Sequence, residues 1–199
     1  MKYLDALIIG AGFSGLYQLH CLRDKLKLNT LVVEEGKDIG GTWYWNTYPG
    51  ARCDSESFTY GFTFSEKIFK NWTWKERYPK QNVILKYLKY FSNELKLKKN
   101  IVFNEKVISA KYIEKNNLWK VQTNNKKKYY TKYLICAVGS LSSINLPKIK
   151  GINQFKGQLH HSGRWPRKKI NFKNKIVGQV GTGSTGIQIA PEIAKKAKK

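Results

Sequence analysis

Gly10-Ala11-Gly12-Phe13-Ser14-Gly15 stands where an apolar run stops and a helical pattern starts. The run before it, residues 3–9, is nearly continuous in apolar side chains, and residues 14–26 then place Leu16, Leu19, Leu22 and Leu26 at helical spacing. A second apolar run at residues 30–33 completes a short β-α-β unit. Parallel strands joined in this way are covered on both faces, so they need not alternate apolar with polar residues. In that setting each glycine has a task. The first makes the tight turn, the second lets the backbone come close to a diphosphate, and the third lets the helix pack on the strand. The helix N-terminus adds N–H groups and partial positive charge. Glu34 closes the second run, where a carboxylate hydrogen-bonds ribose hydroxyls and repels a 2′-phosphate. FAD or NAD suits such a site better than NADP.

Working outward, the same grammar recurs at Gly181-Thr182-Gly183-Ser184-Thr185-Gly186, between a strand expected over residues 175–180 and a helix beginning near Ser184. Two such turns point to two dinucleotides, as in enzymes that pass a hydride from a nicotinamide to a flavin. Between them, residues 36–65 are rich in glycine, aromatics and turn residues without a period, the mark of a functional loop. Residues 82–95 have helical spacing, and residues 101–103, 107–112 and 119–123 read as short strands of a small antiparallel insertion. Residues 133–137 read as a further buried strand, followed by a Pro- and Gly-punctuated connection over 140–167. The expected fold class is α/β, a Rossmann-like domain with a small antiparallel β insertion over residues 1–140, a linker over 141–174, and the start of a second Rossmann-like domain over 175–199.

Composition narrows the partners. The chain carries 37 Lys and Arg against 13 Asp and Glu, a net charge of +24 that taken alone suggests nucleic acid or an anionic surface. Arginine occurs only at 23, 52, 77, 164 and 167, and the lysines are scattered rather than gathered into an arm or stripe. Solvated faces explain that pattern, so no nucleic-acid partner is expected. Cys21, Cys53 and Cys136 lie far apart without CxxC spacing, which indicates neither zinc nor a disulfide framework and suits a reducing cytoplasm. No stretch approaches the roughly 18 apolar residues of a transmembrane helix.

Two further stretches are specific. Gly40-Gly41-Thr42-Trp43-Tyr44-Trp45-Asn46-Thr47-Tyr48-Pro49-Gly50-Ala51-Arg52-Cys53-Asp54 closely resembles the GG-x-WYWN-x-YPGARCD stretch of the Baeyer–Villiger flavin monooxygenases. Phe155-Lys156-Gly157-Gln158-Leu159-His160-His161-Ser162-Gly163-Arg164-Trp165-Pro166 matches their F-x-G-x-x-x-H-x-x-x-W-P fingerprint at every fixed position. The resemblance covers essentially the whole chain, as the N-terminal portion of a two-dinucleotide-binding-domain flavoprotein. It implies that Gly10, Gly12, Gly15 and Glu34 hold FAD, that Thr42, Trp43, Trp45, Asp54 and Tyr60 lie at the flavin, and that Val107 touches its adenine end. It implies that Thr182, Gly183, Ser184, Thr185, Gly186 and Gln188 bind NADP. Asp54 corresponds to the family's active-site aspartate and Arg52 to a contact near the flavin or nicotinamide, while His161 and Trp165 belong to the linker. Read from the residues alone, Asp54 is equally a turn cap and Arg52 a solvated charge.

The activity so implied uses NADPH and O2 to form a peroxyflavin and insert one oxygen next to a ketone carbonyl, or into a sulfide. The alternatives are an N- or S-oxygenating flavin-containing monooxygenase, against which Trp165-Pro166 and the WYWN run speak, and a catalytically dead dinucleotide-binding fragment. Relatives are much longer, and no arginine here matches the one that stabilises their peroxyflavin. Ala137-Val138-Gly139 stands where the family commonly has Ala-Thr-Gly. The 199 residues alone are therefore expected to bind FAD weakly and not to turn over a ketone.

Overall fold

The computed structural model describes residues 2–199. Two compact units emerge, Met1–Tyr44 with Lys86–Ser140, and Trp45–Leu85 with Leu141–Lys199.

The first unit is built on one sheet of six strands, β1 (Lys2–Ile9), β2 (Thr30–Val33), β3 (Ile101–Val102), β4 (Val107–Ile113), β5 (Leu118–Thr123) and β6 (Lys128–Cys136), in the order β3-β2-β1-β6-β5-β4. β1 lies between β2 and β6 and runs parallel to both, with Ile8 opposite Val32 on one side and Ile135 on the other. The apolar runs of the β-α-β unit are thus central strands, and β2 is buried at all four positions. Leu7, Leu31 and Val33 pack with Val121 and Tyr129 in one cluster. Ile8 and Val32, one residue out of phase, are equally inaccessible on the opposite face.

Helix α1 (Phe13–His20) lies along β1 and β2, burying Leu16 and Leu19, and continues as a π-helical turn over Cys21–Lys25. This covers the helix expected over 14–26. Of the three short strands expected, 107–112 and 119–123 form an antiparallel ladder with β6, as β4-β5-β6, whereas 101–103 does not join it: as β3 it pairs parallel to β2 at the opposite edge of the sheet. β6 is longer than its apolar residues suggest. Its polar first half, Lys128–Thr131, pairs with β5 on one edge while the whole strand runs along β1 on the other, so hydrogen bonding, rather than apolar content, sets where it starts.

The second unit has fewer regular elements. Helix α2 (Thr42–Trp45) ends in it, α3 (Glu66–Lys70) is capped by the Ser65 side chain, α4 (Gln81–Glu94) begins in it, and α5 (Ser184–Ala194) is its longest element after residue 141. Residues 175–180 do not form a strand. Their only ladder-like bonds are Val177 N–H to the Lys199 carbonyl and Lys198 N–H to the Lys175 carbonyl, both 2.9 Å, and Ile176 and Val180 are 77% and 79% exposed. A strand needs a neighbour along its length, and two residues do not supply one. Among the described residues no helix is long and apolar enough to cross a membrane, and all three cysteines are free.

Candidate functional site

At the first glycine turn Gly10 adopts φ +101°, where an L side chain is strained, and its N–H donates to the Val33 carbonyl at 2.9 Å. A Cβ on Gly15 would sit 1.9 Å from the Gly10 carbonyl oxygen, so α1 springs directly from the turn. Gly12 is the N-cap and no side chain caps it. The first N–H groups of a helix have no intrahelical acceptor, and here the backbone itself is presented.

Glu34 leaves the end of β2 and is 4% exposed. One carboxylate oxygen accepts the Ala11 N–H of the turn at 2.7 Å and the other accepts the Gly36 N–H at 2.7 Å. Burial pushes this carboxyl's pKa up, with Glu35 adding to the effect, against the two N–H bonds. Each carboxylate oxygen has a second lone pair, so the group can still accept from sugar hydroxyls. The chain then wraps the turn: Gly40 N–H donates to the Ala11 carbonyl at 2.9 Å, and the Gly41 Cα would lie 3.4 Å from a Cβ on Gly12. A side-chain-free cradle with a fixed carboxylate beside it fits a dinucleotide's diphosphate and ribose.

Sequence reasoning missed the group that braces this arrangement. Glu105 donates its N–H to the Glu34 carbonyl at 2.9 Å. Its carboxylate is buried and accepts from Thr123 Oγ1 (2.9 Å), Tyr129 Oη (3.1 Å) and Lys127 Nζ (3.2 Å). Burial first, and then Glu105, push the Tyr129 hydroxyl up to about 12, so it remains a donor. The scarcity of acids in so basic a chain was the one available hint.

In the second unit, Arg52 and Asp54 lie with the second glycine turn. Ser184 Oγ donates to Asp54 Oδ2 at 3.2 Å. Gln188 is tied to Tyr48 and to the backbone of Arg52. Arg164 of the fingerprint and Arg167, just after it, stand 5.7 Å and 6.0 Å from the centre of the Trp45 ring. His161 accepts the Gly163 N–H on Nδ1 at 3.1 Å and so closes a turn over Ser162–Arg164. Gly181 has φ +104°, and a Cβ on Gly186 would lie 2.6 Å from the Gly181 carbonyl oxygen. Of the remaining expected residues, Thr42 is exposed, Trp43 is buried and Val107 opens β4, all in the first unit; Tyr60 follows the short helical turn Ser57–Thr59 in the second.

The chain is similar to known proteins along its whole length. The family described as flavin-binding monooxygenase-like matches residues 5–199. A Baeyer–Villiger monooxygenase of Pseudooceanicola batsensis is 44% identical over 194 residues, covering 98% of this chain and 35% of the relative. A cyclohexanone 1,2-monooxygenase of Acinetobacter sp is 45% identical over 194 residues, covering 98% and 36%. A phenazine N-monooxygenase of Lysobacter antibioticus is 40% identical over 196 residues, again covering 98% and 36%. Among solved structures, a closed form of cyclohexanone monooxygenase superposes with a TM-score of 0.94 at 40% identity, covering 100% of this chain and 37% of that one. The OTEMO complex with FAD and NADP gives 0.91 at 42% identity, covering 98% and 38%. The chain thus spans little more than a third of the length of the proteins it matches.

Proposed function

The chain belongs to the flavin-binding monooxygenase-like family, and from that premise we propose that it supplies the FAD-binding opening and the first NADP-binding turn of a Baeyer–Villiger-type monooxygenase. The observation that carries this reading is the Glu34 carboxylate, buried and bonded to the Ala11 N–H of the first glycine turn. FAD would lie with its diphosphate on the backbone of residues 10–15 and a ribose on Glu34, with Trp43 and Thr42 beyond. NADP would meet residues 182–186. Residues 1–140 are assigned to flavin binding, 141–174 to the linker and 175–199 to the start of the nicotinamide domain.

When bound, the two cofactors supply a hydride and the reduced flavin that transfers one oxygen of O2 next to a ketone carbonyl or into a sulfide. The protein's own share is positional. The turn amides fix the diphosphate, Glu34 fixes the sugar, and Arg52 and Asp54 present charge near the nicotinamide end. The similarity to a phenazine N-monooxygenase supports N-oxygenation as the second reading. Neither reading needs nucleic acid or a membrane, and a cytoplasmic setting suits the free thiols.

Fluorescence titration of FAD with the purified chain tests the proposal. Weak, saturable binding is expected, with Glu34→Ala weakening it by about tenfold or more, the loss of one charge-assisted hydrogen bond. No ketone turnover is expected from these 199 residues. Equal affinity in wild type and Glu34→Ala would contradict the reading.

A further inference from the structure

Gln188 makes three hydrogen bonds with its side-chain amide. Oε1 accepts from Tyr48 Oη at 3.0 Å and from the Arg52 N–H at 3.2 Å, and Nε2 donates to the Arg52 carbonyl at 3.1 Å. One side chain therefore takes both backbone groups of Arg52, as a neighbouring strand would. Ser184 lies one helical turn earlier on the same face of α5 and bonds Asp54. The segment approaches the helix closely: Gly50 has φ +79°, and a Cβ there would lie 2.2 Å from the Gln188 carbonyl oxygen. Its other edge is also held, by a bridge from Arg52 to Lys80, by Cys53 N–H to the Pro79 carbonyl (2.9 Å) and by Gln81 N–H to the Ala51 carbonyl (2.8 Å).

We propose that Gln188 is a positioning residue that clamps the Arg52 backbone to the helix of the second glycine turn, so that a nicotinamide dinucleotide on that turn is registered at Arg52. Both ends of this amide are engaged by residues 48 and 52, which fixes its orientation. The register of Arg52 and Asp54 is then set by two residues one turn apart on α5. The coupling, though not the clamp, rests on the reading of residues 181–186 as a dinucleotide site.

The test uses the 199-residue chain labelled with 15N, with Gln188→Ala and Gln188→Glu as variants and NADP+ as the probe. Q188E keeps acceptor oxygens for Tyr48 and the Arg52 N–H but loses the donor to the Arg52 carbonyl. Hydrogen exchange at the Arg52 amide should quicken by about tenfold in Q188A and less in Q188E, the worth of roughly one hydrogen bond. Amides of β1 should be unchanged in all three, showing an intact fold. NADP+ should move the Gly183 and Thr185 amides in every form, and the Arg52 amide in wild type and Q188E only. Unchanged Arg52 exchange in Q188A overturns the clamp, and an equal Arg52 response to NADP+ in Q188A overturns the coupling. If NADP+ moves neither Gly183 nor Thr185 in wild type, the dinucleotide reading and the coupling both fall, while the exchange result still decides the clamp.

Discussion

At the first glycine turn a Cβ on the third glycine would lie 1.9 Å from the carbonyl of the first; at the second turn the corresponding distance is 2.6 Å. The leading glycines adopt nearly the same conformation, φ +101° and +104°. Their surroundings differ. β1 enters the first turn paired on both edges, and Glu34 closes over it. The residues entering the second, 175–180, are mostly exposed and, among the described residues, have ladder-like backbone bonds only to residues 198–199. A glycine turn is therefore a local object that its own few residues can form, whereas a strand is a collective one that waits for its neighbours.

That contrast can be broken by substitution. Gly15→Ala should have the largest effect, at least about 4 kcal/mol of destabilisation, because the clash is with backbone that cannot move without unseating β1. Gly186→Ala should cost less, about 1–3 kcal/mol, since its neighbours are less constrained. Thermal or urea unfolding of both variants would sharpen the comparison; equal losses would show that the sheet does not stiffen the first turn.

Glu105→Ala comes next. It would strip the shared acceptor from Thr123, Tyr129 and Lys127 at a buried site, at a cost of about 3 kcal/mol. Glu105 holds the Glu34 carbonyl through its backbone N–H, which alanine keeps, so the unfolding midpoint should fall while the FAD affinity of the folded chain changes little.

The smallest effect concerns pH. At Asp38 burial pushes the carboxyl up, but Lys98, Lys89 and the Ile39 N–H outweigh it and the pKa is lowered. At Asp24 the Arg23 guanidinium is the chief cause of a lowered value, with His20 assisting. Such groups give stability that is present above the unfolded carboxylate pKa and is lost as pH falls through the lower, folded one. Glu34 has the opposite sign: its contribution is full below the carboxylate range and is lost as pH rises through its raised value. Asp38→Asn should therefore cost about 1 kcal/mol at pH 7 and almost nothing once the wild-type carboxyl is protonated. Unfolding curves at neutral and strongly acid pH would show whether the gap closes.

Much of the first unit was legible in the sequence because its signals are local: periodicity marked β1, α1 and β2, and the glycine spacing marked the turn between them. The length of β6 was not legible, since polar Lys128 and Thr131 join the sheet through backbone pairing, Lys128 with β5 and Thr131 with both β5 and β1, which their side chains do not announce. Residues 175–180 failed the other way, strand-like in composition but without a ladder. In the site, the glycines and Glu34 were legible from spacing. Glu105 and the engagement of Gln188 with Arg52 were not, because each depends on contacts between residues far apart in the chain.

The central claim is that the backbone of residues 10–15 grips a flavin dinucleotide beside Glu34, and the most direct measurement is an FAD titration of the 15N-labelled chain followed amide by amide. The account predicts that the amides of Ala11, Gly12 and Phe13 shift together with that of Gly36 while those of α3 stay in place, and that Glu34→Gln moves the titration to higher FAD. Shifts confined to other residues, or an Ala11-to-Phe13 segment that stays still at saturating FAD, would contradict it.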